Sequence, residues 1–237
     1  AVMAFVKENE IDVIVNCAAY TAVDKAEDNQ ELCAKLNSEA VGYLAKAAEE
    51  NQAEFIQIST DYVFDGTNYV PYRETEPTCP NSVYGVTKLA GEKKALEYCS
   101  KAMIIRTAWL YSVFGNNFVK TMIRLGKERE SLGVIFDQIG TPTYARDLAS
   151  AVFAAIRKGI IPGIYHFSNE GVCSWYDFTK SIHRIAGIGN CKVSPLHTDE
   201  YPAKAPRPHY SVLDKTKIKH TYGIEIPHWE ESLEQCI

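Results

Sequence analysis

The amino-acid sequence predicts an α/β fold, in which a doubly wound parallel sheet is joined to a smaller C-terminal lobe. Three short apolar runs have the character of buried strands, namely Ile11–Asn16, Glu54–Ser59 and Ala102–Arg106. Helical patterns separate these runs, and such alternation is typical of a parallel sheet with helices on both faces. With 46% apolar residues among 237 positions, the chain can bury one sizeable core and a smaller second one.

Each connection between these strands carries a helical signal. Asn29–Asn51 has apolar residues at helical spacing, with charged residues on the other side. A loop rich in turn-forming residues, Asp61–Asn81, leads into a predicted helix over Ser82–Cys99. Further helices are predicted near Asn117–Gly126 and over Ala145–Lys158. Two strand–helix–strand units in succession make the doubly wound sheet the best explanation of this pattern.

The rest of the chain has a looser pattern. A strand is predicted over Gly163–Phe167 and a helix over Ser174–Ala186. The segment Pro195–Pro208 holds four prolines and is predicted to be extended surface chain. We expect this half to form the smaller lobe, which closes over the carboxyl ends of the strands, where open α/β sheets bind their ligands.

Composition and charge argue against several classes of protein. A net charge of -5 without any cluster of Lys or Arg does not favour nucleic-acid binding. No apolar run has the length of a membrane helix and the first residues do not form a secretory signal, so we predict no membrane association and a cytoplasmic location. The seven cysteines and six histidines show no metal-binding spacing, so we predict reduced thiols and no metal site.

The strongest candidate for chemistry is the pair Tyr84 and Lys88 on the predicted helix after the long loop. The i,i+4 spacing places both on one helix face, where an ammonium would lower the pKa of the phenol and make it a usable proton donor. Thr60 follows the second strand, where its hydroxyl could bind a substrate oxygen. Taken alone, each of these signals also fits ordinary surface or strand-end residues.

Five runs of sequence, in the same order, resemble the dTDP-4-dehydrorhamnose reductase family of the extended short-chain dehydrogenase/reductases. They are NCAAYTAVDKAE (Asn16–Glu27), STDYVFDG (Ser59–Gly66), YGVTKLAGE (Tyr84–Glu92), RTAWLY (Arg106–Tyr111) and DQIGTPTYARDLA (Asp137–Ala149). The resemblance covers nearly the whole chain. It implies reduction of a dTDP-linked 4-keto-6-deoxy sugar, dTDP-4-dehydro-6-deoxy-L-mannose, to dTDP-L-rhamnose with NADPH or NADH as the donor.

The resemblance also implies roles for particular residues. Thr60, Tyr84 and Lys88 would be the catalytic set, in which Tyr84 protonates the sugar C4 oxygen and Lys88 also holds the nicotinamide ribose. Asn16, Ala18 and Ala19 would lie against the cofactor. The implied division is a Rossmann-like dinucleotide-binding core of residues 1–112 with 140–158, and a substrate-binding lobe of residues 113–139 with 159–237.

Substrate contacts are implied for six residues, which are Val23, Asp24, Trp109, Asn117, Gln138 and Arg207. Arg207 would meet the diphosphate, because a planar guanidinium suits phosphate oxygens. Tyr210 stands where the family commonly has asparagine, which leaves the detail of the nucleotide contacts open.

A dinucleotide-binding domain needs a glycine-rich turn after its first strand. The only G-x-G, at Gly187–Gly189, follows a predicted helix instead. We therefore expect that the first βα unit is missing from this chain, and that the chain by itself binds NAD(P)H poorly and is inactive. Two other functions remain open: a nucleotide-sugar epimerase or dehydratase, and a non-catalytic regulatory subunit. Dehydratases characteristically have Asp-Glu after the threonine, whereas Asp61-Tyr62 stands here. The oligomeric state is also open, with a homodimer as one possibility.

Overall fold

The computed structural model describes residues 1–237, with ten strands and ten α-helices. The strands are β1 (Val13–Asn16), β2 (Glu54–Thr60), β3 (Ala102–Thr107), β4 (Leu110–Tyr111), β5 (Ser131–Ile135), β6 (Ile139–Gly140), β7 (Thr143–Tyr144), β8 (Gly163–His166), β9 (Cys173–Ser174) and β10 (Lys192–Leu196). The helices are α1 (Val2–Glu8), α2 (Val23–Ala26), α3 (Gln30–Ala34), α4 (Ala40–Glu50), α5 (Val83–Tyr98), α6 (Phe118–Glu128), α7 (Ala145–Lys158), α8 (Trp175–Ile185), α9 (Thr216–Tyr222) and α10 (Trp229–Cys236).

The main sheet has four strands in the order β1-β2-β3-β8, and all of its pairs are parallel. Side chains of successive residues point to opposite faces of a strand, and each face has its own apolar core. Phe55 and Ile104 pack with residues of α4 and α5, such as Ala45 and Ala95. Ile56 and its neighbours on the other face pack with residues of α7 and α9. Helices therefore cover both faces, and the predicted doubly wound α/β fold is confirmed.

A third apolar core lies outside the main sheet. It joins α6, α8 and α10 to the parallel pair of β5 and β10, and its members include Met122, Val134, Phe178, Val193 and Leu233. This packing is what a separate smaller lobe requires, and we propose that these elements form the substrate-binding lobe.

The predicted division differs from the structure at one place. The strand predicted at Gly163–Phe167 was assigned to the smaller lobe, but β8 pairs with β3 in the main sheet. Ile218 and Tyr222 of α9 then pack on the same face of that sheet. The reason is that β8 follows α7 directly and returns to the sheet edge, as a crossover connection does. The predicted assignment of residues 159–237 to the smaller lobe was therefore wrong for β8 and α9, which belong to the main sheet and its covering layer.

Other elements differ from prediction in detail. The predicted helix Asn29–Asn51 is divided, because Lys35–Glu39 forms a π-helical turn between α3 and α4. The segment Pro195–Pro208 was predicted to be extended surface chain outside any regular element, but its first two residues belong to β10 and Thr198–Glu200 forms a 3₁₀ turn. The pair of β5 and β10 was not predicted. No helix combines the length and the apolar character that crossing a membrane requires.

Candidate functional site

Thr60 is the last residue of β2 and lies at the carboxyl end of the main sheet. Its side chain caps the 3₁₀ turn Asp61–Val63, accepting a hydrogen bond from the backbone N–H of Tyr62 at 3.2 Å. The same hydroxyl donates to Oδ1 of Asp61 at 3.0 Å. Thr60 is 4% exposed and Asp61 is 2% exposed. The hydroxyl is thus fixed in position at the end of the central strand.

The helix α5 brings Tyr84 and Lys88 to the same place. It begins after Ser82, whose hydroxyl accepts a hydrogen bond from the N–H of Gly85 at 3.2 Å. Lys88 is buried, and its Nζ donates to the carbonyl oxygen of Ile58 on β2 at 2.7 Å. The predicted set of Thr60, Tyr84 and Lys88 therefore lies where α5 crosses the end of β2.

The electrostatics of this set differ from the prediction. Burial raises the pKa of Tyr84 to about 12, although the Thr60 hydroxyl acts in the opposite direction. Burial also lowers the pKa of Lys88 to about 8, against the influence of Glu92. The expectation that the ammonium lowers the pKa of the phenol was wrong for this structure. The physical reason is that burial outweighs the Thr60 hydrogen bond, that Asp61 and Cys33 act in the same direction as burial, and that Nζ of Lys88 is bound to Ile58. Tyr84 is instead held in its protonated form.

Two glycines allow α5 to approach its neighbours closely. A Cβ atom on Gly85 would lie 2.2 Å from the carbonyl oxygen of Tyr62, and one on Gly91 would lie 2.1 Å from that of Asn37. Any larger residue at these positions would push α5 away from the 3₁₀ turn or the π-helical turn. The distance between Tyr84 and Thr60 therefore depends on these glycines.

A buried ion pair fixes the same helix to the sheet one turn further along. Glu92 lies at i+4 from Lys88, and its Oε2 accepts from Nη2 of Arg106 on β3 at 2.7 Å. Its Oε1 accepts from Nε of Arg106 at 3.0 Å and from the Ser59 hydroxyl. Both charged side chains are 2% exposed. Because the pair is bidentate and shielded from water, it sets the register of α5 on the sheet.

The end of β1 is a second candidate surface. Asn16 is buried, and its side chain is held by Gln57 at 2.7 Å and by the N–H of Ala18 at 3.1 Å. Ala18 is exposed and Ala19 is partly buried. Asn37, in the π-helical turn, accepts from the N–H of Tyr20 at 2.8 Å and donates to its carbonyl at 3.1 Å. The short loop after β1 is therefore rigid and carries small side chains, which permits close approach of a flat ligand.

Asp24 and Arg207, both predicted to contact substrate, bind each other. Nη2 of Arg207 donates to Oδ2 of Asp24 at 2.8 Å and Nη1 donates to Oδ1 at 3.1 Å. The N–H groups of Lys204 and Ala205 donate to the same carboxylate. Burial disfavours the charge on Asp24, but the hydrogen bonds from Arg207 and Ala205 lower its pKa. Val23 precedes Asp24 at the start of α2 and is partly buried.

A cavity of 240 Å³ lies between this ion pair and the smaller lobe. Its lining includes Arg207, Gln138, Tyr62, Trp175 and Phe118. The ring of Tyr62 also packs edge-on against Tyr84, with ring centroids 5.4 Å apart. The side chain of Tyr62 therefore joins the cavity to the catalytic candidates.

Trp109 and Gln138 both lie near this cavity. Trp109 stacks on Trp175, with centroids 3.5 Å apart, and has a left-handed backbone with φ of 49°. Such a conformation is unfavourable for a bulky residue and is often found at functional sites. Gln138 is buried and donates to Oγ1 of Thr198 at 3.1 Å. Their positions are compatible with the predicted substrate contacts.

Asn117 has a structural role in this chain. Its Oδ1 accepts from the N–H of Lys120 at 3.2 Å and caps α6, and its Nδ2 donates to the carbonyl of Ser112 at 2.6 Å. Both ends of the amide are therefore engaged by the backbone. The substrate contact that the resemblance implied for Asn117 stays a prediction.

The sequence interpretation missed four residues at the site. They are Asn37, Asp61, Tyr62 and Glu92. Glu92 could have been noticed, since it continues the spacing of Tyr84 and Lys88 on one helix face. Asp61 and Tyr62 directly follow Thr60, but their burial gives no local signal, and Asn37 acts through contacts with a segment 17 positions away.

An open parallel sheet with threonine, tyrosine and lysine at the carboxyl end of a central strand defines the short-chain dehydrogenase/reductase class of oxidoreductases. A more particular assignment follows from comparison with known proteins. The chain belongs to the family described as the RmlD substrate binding domain, whose model matches residues 1–237. The resemblance that the five sequence runs indicated is confirmed.

Individual relatives agree with this family. The dTDP-4-dehydrorhamnose reductase of Escherichia coli (strain K12) is 45% identical over an alignment of 235 positions, which covers 95% of this chain and 79% of that protein. The crystal structure of such a reductase from Clostridium acetobutylicum has a TM-score of 0.96 and 47% identity, covering 100% of this chain and 83% of the other. The Bacillus anthracis reductase, solved in complex with NADP, has a TM-score of 0.96 and 42% identity, covering 99% and 83%.

Proposed function

We propose that this protein reduces the 4-keto group of dTDP-4-dehydro-6-deoxy-L-mannose to give dTDP-L-rhamnose, with NADPH or NADH as the donor. The observation that carries the proposal is the set of Thr60, Tyr84 and Lys88 at the end of β2, in a chain of this family. The reductases of Escherichia coli and Clostridium acetobutylicum support the choice of substrate, and the NADP complex of the Bacillus anthracis enzyme supports the choice of cofactor.

The residues at the ends of β1 and β2 fit a nicotinamide cofactor. An ammonium has three N–H donors, and Lys88 uses one of them for Ile58, so that two remain for ribose hydroxyls. Ala18 and Ala19 leave space beside the rigid loop after β1. The chemistry that the bound cofactor supplies is hydride transfer to the carbonyl carbon.

The protein's own part is to bind and protonate the carbonyl oxygen. Tyr84 has its pKa raised to about 12, so the phenol carries its proton at neutral pH and can donate it to the oxygen as negative charge develops there. The Thr60 hydroxyl is a second donor for that oxygen. In this structure the hydroxyl is bonded to Asp61. Both side chains are held in position before the substrate arrives, which favours the transition state.

The cavity lined by Arg207 and Gln138 is the proposed site for the nucleotide part of the substrate. Arg207 has further N–H groups beyond those that bind Asp24, and a diphosphate would take these or compete with the carboxylate. Trp109 and Trp175, stacked on each other, provide a flat apolar wall beside it. The proposed site thus has a proton donor, Tyr84, at one end and an anion-binding residue, Arg207, at the other. This arrangement suits a substrate in which the reacting sugar is joined to a diphosphate.

The test is turnover by the full-length protein with the dTDP-linked keto sugar and NADPH deuterated at the transferred position. We expect consumption of NADPH and a sugar product with deuterium at C4. In a parallel reaction in D2O with unlabelled NADPH, deuterium on other ring carbons without consumption of NADPH would indicate an epimerase or dehydratase. Tight binding of both ligands with no reaction would indicate a non-catalytic subunit.

A further inference from the structure

Asp61 is a buried carboxyl group directly beside the proposed catalytic hydroxyl. It is 2% exposed, and the Thr60 hydroxyl donates to its Oδ1 at 3.0 Å. The other oxygen, Oδ2, is fully buried and has no hydrogen-bond partner. Burying a carboxylate oxygen without a hydrogen-bond partner costs free energy, which indicates a functional role for Asp61 beside Thr60.

The Thr60 hydroxyl has a single hydrogen, and three acceptors compete for it. In this structure it points to Asp61, while the lone pairs of Oγ1 receive the N–H of Tyr62. Tyr84 also lies within reach of the hydroxyl. A substrate carbonyl oxygen would be the third acceptor. An ionised Asp61 accepts only, and therefore withholds the hydrogen of Thr60 from the substrate.

We propose that Asp61 is a positioning residue, which when protonated donates to Oγ1 of Thr60 and thereby turns the threonine hydrogen toward the sugar carbonyl oxygen. When Asp61 is ionised, the hydrogen bond reverses and Thr60 donates to the carboxylate. The proton of Asp61 comes from water and returns to it, so no group is transferred or oxidised. The inference rests on the proposed reduction for the identity of the substrate oxygen, but the hydrogen bond between Asp61 and Thr60 stands without it.

The surroundings of Asp61 favour this behaviour. Burial raises its pKa to about 6, against the influence of the nearby Ser211 hydroxyl and of the Thr60 hydroxyl, which both favour the charged form. The titratable groups that face it are Tyr62 on the same turn and Tyr84 on α5, whose pKa values are both raised, so both are neutral near pH 7. Negative charge developing on the substrate oxygen would favour protonation further.

The first arm of the test requires no activity. The carboxyl carbon of Asp61 is titrated by ¹³C NMR in wild type, Thr60→Val and Thr60→Ser, and Asp61→Asn identifies the signal. We expect a midpoint near 6 in wild type, a higher midpoint in Thr60→Val because a donor to the charged form is lost, and a value near wild type in Thr60→Ser. An equal midpoint in all three would overturn the proposal.

The second arm is the pH profile of kcat/KM for the full-length protein. We expect wild-type activity to fall about tenfold per pH unit above the Asp61 midpoint, to a floor about 10²-fold lower, the cost of losing one such donor. Asp61→Asn donates to Thr60 at every pH and should abolish this fall. Asp12→Asn, which changes an exposed carboxylate elsewhere, should retain it.

The two arms separate the two proposals. If the titration midpoint of Asp61 depends on Thr60 but the protein has no reductase activity, the proposed function is rejected. The hydrogen-bond switch between Asp61 and Thr60 is then retained. If the protein is a reductase but Asp61→Asn loses kcat/KM at high pH as wild type does, the proposed role of Asp61 is rejected and the proposed function is not. The same holds if wild type shows no loss of kcat/KM at high pH. Thr60→Val, Thr60→Ser and Asp61→Asn each change few atoms, and the urea midpoint of each variant shows whether it folds.

Discussion

Two ion pairs hold the two halves of the proposed site, and they differ in burial. Arg106 and Glu92 fix α5 to β3 with 2% exposure on each side chain. Arg207 and Asp24 fix the C-terminal segment to α2 with 21% and 46% exposure. Removing one member of a buried pair leaves a charge without water or partner, whereas an exposed pair is worth little. We therefore expect the buried pair to hold the catalytic half of the site, which is α5 on the main sheet, rigidly. In the substrate half, Arg207 can exchange the Asp24 carboxylate for another anion.

The largest expected effect is on stability, at the buried pair. Glu92→Gln leaves Arg106 charged in a site without water, so we expect the free energy of unfolding to fall by about 3 kcal/mol or more. The measurement is the urea midpoint of wild type and variant. Glu97→Gln changes an exposed glutamate on the same helix and should have almost no effect. Equal midpoints for all three proteins would show that the buried pair does not hold α5.

A second large effect concerns catalysis at the rigid half. In the full-length protein, Tyr84→Phe removes the proposed proton donor and keeps the ring that packs on Tyr62, so we expect kcat to fall by about 10²-fold or more with little change in substrate affinity. The matched control is Tyr43→Phe, which removes an exposed hydroxyl from α4. Unchanged kcat in Tyr84→Phe would exclude this residue from the mechanism and favour the regulatory-subunit alternative.

The rigid half was also the more predictable from sequence. Tyr84 and Lys88 lie on one helix, so their spacing alone placed them together, and the strand before Thr60 was clear from its apolar run. The pair of Asp24 and Arg207 was not predictable in this way, since 183 positions separate its members. Nor did local pattern reveal that burial would raise the pKa of Tyr84, because the shielding comes from segments distant in sequence.

Other misses have the same physical origin. The π-helical turn at Lys35–Glu39 lies within a regular helical pattern, but Asn37 in it holds the loop after β1. The strand β5 is short, and its parallel partner β10 lies far along the chain. Such features are fixed by tertiary contacts, and these override local preference.

A third prediction tests the exchangeable half. Arg207→Ala removes charge-assisted contacts to the diphosphate, worth about 1.5 to 3 kcal/mol, so we expect the Kd for dTDP-sugar to rise about ten- to a hundredfold. The Kd for NADPH should change much less. Lys204→Ala, which removes a neighbouring exposed charge paired with Asp28, is the control. Equal weakening for both ligands would remove Arg207 from the nucleotide-sugar site.

The smallest expected effect is the contribution of Asp24 to stability, and its sign follows from its pKa. Hydrogen bonds from Arg207 and Ala205 overcome the effect of burial and hold the pKa of Asp24 below its usual value, so the folded protein binds fewer protons there than the unfolded chain near pH 4. The stabilisation is therefore present above the unfolded pKa and is lost as pH falls through the folded one.

Because the pair is partly exposed, it should be worth less than about 1 kcal/mol at pH 7 and decrease with added salt. The measurement is the difference in urea midpoint between wild type and Asp24→Asn at pH 7 and at a series of pH values below 3.8, with Glu31→Gln, which breaks an exposed pair with Lys35, as the control. A cost at pH 7 comparable to that of Glu92→Gln would contradict the comparison, because the exposed pair would then hold its half of the site as firmly as the buried one. A small cost that vanishes in acid would support an Arg207 that can exchange a carboxylate for a diphosphate without unfolding the segment that carries it.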